Sequence, residues 1–190
     1  MSRLRRILLV RHGETDGESS IRFHGSTDVD LSAEGREQVE RAGRQVRRQP
    51  IDLVVASPLR RSWRGAWIAG GGAPVRLESD FREVDFGRWE GLTMEEIQTR
   101  DPILCQDWQS GAEGFGYPGG ESRDEFRARV SRGLEQLLAA NVYSALLVLH
   151  KGVIRVIAEQ LTGEALPLGD PELGGTVTLT RGAKGSWLRS

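Results

Sequence analysis

The chain has 190 residues, with 26 Lys and Arg against 27 Asp and Glu, and its net charge of -1 carries no basic footprint for nucleic acid. Hydrophobic residues at 38% and charged residues at 28% exclude a disordered chain, and the length suits one well-packed domain spanning 1–190. The single cysteine, Cys105, excludes an intramolecular disulfide and fits a reducing cytoplasm as a buried small side chain, and no run resembles a signal peptide or a membrane span.

The run I-L-L-V-R-H-G-E-T at 7–15 is an apolar strand that ends abruptly in Arg11, His12 and Gly13. Ligands gather outside the carboxyl ends of strands in open parallel sheets, and an imidazole beside a guanidinium suits an anion. Residues 16–30, rich in Gly, Ser and Asp, form a loop over that strand end. A helix follows over 32–48, capped by Ser32, with Val39, Ala42 and Val46 on its inner face and Pro50 as its stop. The strand at 51–56 leads to Ser57-Pro58, a helix start, and that helix runs to Ala69 before three glycines. Arg60, Arg61 and Arg64 cluster in its first turns, where an inward-pointing arginine and the helix N-terminus would complete an anion site; the alternative is a solvated basic face.

A short strand at 75–77 precedes Glu83, which sits among Phe81, Val84, Phe86 and Trp89, with Asp85 and Glu90 as competing carboxylates. Apolar neighbours raise a carboxyl pKa and make it a proton donor; an exposed glutamate in a turn is the plainer reading. Thr93 and Glu96 form a capping box for a helix ending near Arg100, and Pro102 opens another turn or two. Residues 110–121 are a glycine-rich mobile loop without a G-K-[ST] sequence, so nucleotide cradling has no support. Its Phe115 and Tyr117, with Trp108, form either a substrate wall or a loop anchor. Ser122 and Glu125 cap a helix to about 140, the strand at 145–149 stops at His150, and a helix over 153–161 closes at Gly163. A hairpin over 176–180 and 187–189 ends the chain. Alternating strands and helices give an α/β fold, a three-layer α/β/α sandwich with a mostly parallel sheet, and several strands deliver polar chemistry to one side.

R-H-G-E-T at 11–15, S-P-L-R-R at 57–61, E-V-D-F-G-R-W-E-G at 83–91 and H-K-G-V-I-R at 150–155 resemble the histidine phosphatase superfamily, branch 1, the phosphoglycerate mutase-like enzymes. The resemblance implies that His12 is the nucleophile that becomes phosphohistidine. It implies that Arg11, Arg61 and His150 bind the phosphoryl oxygens, and that Glu83 is the proton donor. It further implies a phosphomonoesterase for a small phosphorylated metabolite, acting without metal or cofactor. Bulk charge and hydropathy point to no nucleic-acid or membrane partner, and a monomer or homodimer is expected from the general prevalence of dimers among homo-oligomers. Residues from about 84 to 121 would cover the substrate, and Arg22, His24 and Lys151 are candidate rim residues. The alternatives are a cofactor-dependent phosphoglycerate mutase, for which the segment between Glu83 and His150 is short, and a non-catalytic phosphate-binding module. Three departures stand out: Glu18 replaces a phosphate-binding asparagine of the family and is expected to turn outward or contact a different substrate group, Lys151 replaces a glycine, and S-P-L-R-R-S-W-R-G-A at 57–66 departs from the family's usual helix sequence, which changes helix packing more than chemistry.

Overall fold

The aliphatic runs of the sequence form one six-stranded sheet in the computed structural model, which describes residues 3–189; Met1, Ser2 and Ser190 of the expected 1–190 domain lie outside the described residues. The strands are β1 (Arg6–Arg11), β2 (Leu53–Ala56), β3 (Val75–Leu77), β4 (Ser144–Leu149), β5 (Thr176–Arg181) and β6 (Trp187–Arg189), in the spatial order β3-β2-β4-β1-β5-β6. The first four run parallel, while β5 pairs antiparallel with β1 and β6 with β5, so the sheet is mostly parallel, with the expected hairpin at one edge.

Strand periodicity assigns the faces. Ile7, Leu9, Ala145, Leu147 and Leu149 pack with helices α5 (Arg123–Leu138) and α6 (Lys151–Thr162). Leu8, Val10, Leu146 and Val148 pack on the other face with α1 (Ala33–Val46) and α2 (Arg60–Ala69). Every residue of β4 is therefore buried, as a strand covered on both faces requires. A third apolar cluster, Trp89, Ile97, Cys105 and Phe115, lies in the segment carrying α3 (Met94–Arg100) and α4 (Pro102–Ser110).

Two helix starts differ from the sequence reading. Helix α2 begins at Arg60 with Leu59 as N-cap and no side-chain cap, because the Ser57 hydroxyl is used elsewhere. Helix α6 starts at Lys151, directly after His150, two residues earlier than periodicity indicates. The glycine-rich stretch at 110–121 is tied down by its aromatics: Trp108 Nε1 donates to the Tyr117 hydroxyl at 2.9 Å, Phe115 stacks edge-on to Tyr117, and Gly116 bridges to Ser122. Those rings anchor the loop, the plainer of the two expected roles. Both expected capping boxes, Thr93 with Glu96 and Ser122 with Glu125, are present.

Candidate active site

Each expected side chain of the site comes from the carboxyl end of a parallel strand or the turn after it. His12 follows β1, and its backbone N-H extends the ladder to the Leu149 carbonyl at 2.9 Å. His150 follows β4, Arg61 lies in the first turn of α2 after β2, and Glu83 lies just beyond β3. The two imidazole rings meet edge to face with centroids 5.3 Å apart. His12, Arg61, Glu83 and His150 are all buried.

The R-H-G-E stretch is held by the first turn of α1. A β-carbon on Gly13 would stand 2.1 Å from the Gly35 carbonyl oxygen, so only glycine permits that approach. The Gly13 carbonyl accepts from His12 Nδ1 at 2.7 Å, which places the ring proton on Nδ1 and leaves the Nε2 lone pair free. Burial first, then the charges of Arg61 and Arg11, hold the His12 pKa well below 6.5. A neutral imidazole with a free nitrogen and two cations beside it is the arrangement that a nucleophile facing an anion site requires.

Arg61 is fully buried, and burial lowers its pKa to about 10. Its terminal nitrogens donate to the carbonyls of Thr27, His24 and Gly25. Of the five guanidinium N-H donors, that leaves Nε-H, which has no protein partner, and one further N-H. Arg11 donates to the Pro171 carbonyl at 3.1 Å, and its buried Nε is likewise unpartnered, as is His150 Nδ1. Buried donors normally find partners, so three such nitrogens on residues of one site suit a bound oxyanion. Arg60 and Arg64 turn elsewhere: Arg60 pairs with Asp28 and Arg64 with Asp30.

Glu83 is seated on the start of α6. Gly152 N-H donates to Oε2 at 3.0 Å and Val84 N-H to Oε1 at 3.0 Å, and a β-carbon at Gly152 would stand 2.6 Å from Oε1. Burial raises the Glu83 pKa, against those two N-H bonds and the nearby Arg61 and Arg11. That upward direction is the one a carboxyl proton donor requires. Glu90, a competitor for that role in the sequence, is structural. Its carboxylate accepts from the backbone N-H groups of Gly25, Ser26, Thr27 and Phe86, and so shapes the loop whose carbonyls hold Arg61.

The sequence singles out Glu90 but not its structural role, because a loop organiser has no local motif, and it gives no sign of the 171–175 segment. Gly174 N-H donates to the carbonyls of Arg11 and His12, and Gly175 accepts from Arg11 N-H, so that segment braces the catalytic strand end. Among the rim candidates, Arg22 is committed to Glu18 at 3.3 Å, Glu96 at 3.1 Å and the Gly91 carbonyl at 2.8 Å. His24 bonds through Nε2 to the Gly17 carbonyl at 2.5 Å and lies near enough to add to the field at His12. Lys151 is partly buried at the first position of α6, and burial, then Arg11 and Arg155, lower its pKa.

Glu18 turns outward as expected, with its side chain 63% exposed. It is also the one non-glycine residue with positive φ (60°) among the described residues, a conformation that asparagine adopts more readily than glutamate. Its ion pair with Arg22 is exposed and returns little. Glu18→Asn is therefore expected to raise the melting temperature by about 1–4 °C, corresponding to up to about 1 kcal/mol; scanning calorimetry checks this, and an unchanged or lower value argues against strain at this position.

The buried histidines also set an acid limit to stability. His12 and His150 are both held well below 6.5 in the folded chain, so the unfolded chain binds more protons as pH falls. Their contribution is complete above about pH 6.5 and is lost as pH drops toward the folded values, at up to about 1.4 kcal/mol per pH unit for each ring. Glu83, whose pKa is raised, acts in the opposite sense: its folded form takes up a proton first, which stabilises the fold on acidification. With two histidines against one glutamate, urea midpoints are expected to fall between pH 7.5 and 5.5; a rise over that interval would contradict the buried neutral rings.

A family model described as histidine phosphatase superfamily (branch 1) matches residues 7–180. The chain is 34% identical over 185 residues to a glucosyl-3-phosphoglycerate phosphatase of Mycolicibacterium vanbaalenii, covering 91% of this chain and 80% of that protein. It is 33% identical over 173 residues to an uncharacterized phosphatase PhoE of Bacillus subtilis, covering 90% and 81% respectively. A mycobacterial glucosyl-3-phosphoglycerate phosphatase solved in complex with VO3 superposes with a TM-score of 0.84 at 29% identity, over 98% of this chain and 97% of that one.

Proposed function

Because the chain belongs to branch 1 of the histidine phosphatase superfamily, we propose that it is a phosphomonoesterase that hydrolyses a small phosphorylated metabolite through a phosphohistidine on His12. One observation carries the reading: a neutral His12, its Nδ1 held by Gly13, stands in a buried site with two arginines that keep unpartnered nitrogens. A phosphate monoester near pH 7 is close to doubly negative. Arg11, Arg61 and His150 donate to its nonbridging oxygens while His12 Nε2 forms a bond to phosphorus. The bond from phosphorus to the leaving oxygen breaks, and Glu83 gives that oxygen its proton. Water then attacks phosphorus, Glu83 takes the water's proton, and the bond to Nε2 breaks, releasing inorganic phosphate and free His12. The fixed guanidinium charges supply the stabilisation that a metal ion supplies in other phosphatases.

The chain acts as one domain over 1–190, with about 84–121 as the part that covers the substrate. Lys151, beside Arg11 and in the field of Glu83, favours substrates with a further anionic group, and His24 lies within the electrostatic reach of His12. No helix among the described residues is long and apolar enough to cross a membrane. The near-zero net charge and single cysteine support a cytoplasmic enzyme without nucleic-acid partners, as a monomer or homodimer. The test is phosphate release from a panel of phosphorylated metabolites, run with p-nitrophenyl phosphate and with excess EDTA. Release that survives EDTA is expected. Loss of activity on chelation, or transfer of phosphate between positions of 3-phosphoglycerate faster than its release, would overturn the reading.

A further inference from the structure

Ser57 was expected to cap a helix, yet it is fully buried and its hydroxyl lies 2.7 Å from Nε2 of His150, which is also fully buried. The surrounding bonds decide which atom holds the proton. Ser57 N-H donates to Ser62 Oγ at 2.9 Å, and Ser62 Oγ donates to the Val148 carbonyl at 2.6 Å, so Ser57 is moored to β4 two residues before His150. The Leu59 N-H donates to Ser57 Oγ at 3.3 Å. That oxygen has a second lone pair, but among the described contacts the one acceptor within reach of its own proton is His150 Nε2, so donation to Nε2 is the arrangement that leaves the buried hydroxyl satisfied. Burial and the surrounding cations keep the ring neutral, so it carries a single proton. Nε2 as acceptor leaves that proton on Nδ1, the buried nitrogen without a protein partner. The reverse tautomer would present the lone pair of Nδ1 to a phosphoryl oxygen and repel it.

We propose that Ser57 is a positioning residue that donates its hydroxyl proton to His150 Nε2 and thereby fixes His150 as the Nδ1-H tautomer, a hydrogen-bond donor to the transferring phosphoryl group. The effect on rate rests on the phosphatase reading above; the tautomer does not, and it is measured without substrate. The chain has three histidines, so their ring nitrogens are assignable in 15N-labelled protein. At pH 7.5 the native enzyme is expected to show His150 protonated on Nδ1 and unprotonated on Nε2. In Ser57→Ala the Nε2-H form should appear, and kcat should fall about 10- to 100-fold with a smaller change in KM, the scale seen when partners that orient a functional histidine are removed. Ser57→Thr, which keeps a hydroxyl, should restore the Nδ1-H form and most of the lost rate. A native His150 carrying its proton on Nε2 would overturn the proposal even if neither variant folds. So would an unchanged tautomer in Ser57→Ala. A correct tautomer pattern in an enzyme that releases no phosphate from any substrate would instead count against the phosphatase reading alone.

Discussion

Replacing His12 with alanine is expected to lower kcat for phosphate release by on the order of 10⁴-fold or more, because no covalent intermediate can form. The site offers no substitute nucleophile of the same kind: His150 Nε2 is bonded to Ser57, and the ring is held in place by that contact. The other groups around the phosphoryl position are arginines, which are donors only, and Glu83, whose two oxygens are tied to the N-H groups of Gly152 and Val84. The variant also removes a buried ring and its bond to Gly13, so urea unfolding of the variant must accompany the kinetics. A folded His12→Ala protein retaining activity would sink the nucleophile assignment. In the native enzyme, acid-labile phosphate covalently held after a short reaction should be found on a peptide containing residues 11–15 and be absent from the variant. Label found on another peptide would move the nucleophile elsewhere.

Most of the site was legible because its chemistry sits at strand ends, and strand ends are marked in sequence by apolar runs that stop at polar residues. Ile7 to Val10 and Ala145 to Leu149 announce His12 and His150 in that way, and their alternating burial on two faces follows from the same runs. Arg61 was separable from Arg60 and Arg64 only through the family pattern, since three arginines in two helical turns look alike until one is buried. The structure adds that the other two pair with Asp28 and Asp30, in the same loop that gives its carbonyls to Arg61. What the sequence hid is long-range and mediated by the backbone. Glu90 gathers N-H groups from 25–27, and Gly174 and Gly175 brace Arg11 from a segment about 160 residues away, an approach no local pattern encodes. Ser57 was misassigned for a related reason. Ser-Pro satisfies the local rule for a helix start, but burial next to β4 turns its hydroxyl to His150, and the one N-H it accepts is that of Leu59, the N-cap residue, not one inside the helix.

Glu83→Gln tests a different part of the chemistry, and its signature depends on the leaving group. Glutamine keeps one oxygen, for the N-H of either Gly152 or Val84, sets its NH2 against the other, and has no proton to transfer at neutral pH, so urea unfolding of the variant accompanies the kinetics. A simple alkyl phosphate must expel a strongly basic alkoxide, so its kcat/KM should fall by about 10²- to 10⁴-fold, the span of general acid catalysis. p-Nitrophenolate leaves without assistance, so formation of the phosphoenzyme from p-nitrophenyl phosphate should be much less affected. Hydrolysis of that phosphoenzyme still needs a base to take the proton from water. The variant should therefore release a burst of p-nitrophenol close to one equivalent and then stall. The pH dependence follows from the two shifts in the native site. Activity on alkyl phosphates should rise from acid as His12, held well below 6.5, loses its proton, and should fall again as Glu83, raised above 4.5, loses its own. The alkaline fall belongs to Glu83 and should disappear in Glu83→Gln, while the acidic rise belongs to His12 and should remain. Equal losses on both leaving groups, without a burst and with the alkaline limb intact, would transfer the proton to some other group. Tyr117 is a poor candidate for that role: burial pushes its pKa up to about 12, and its hydroxyl oxygen already accepts from Trp108. Of the carboxyls at the site, Glu83 is the one that burial moves upward in pKa, the direction that a proton donor to a forming alkoxide requires.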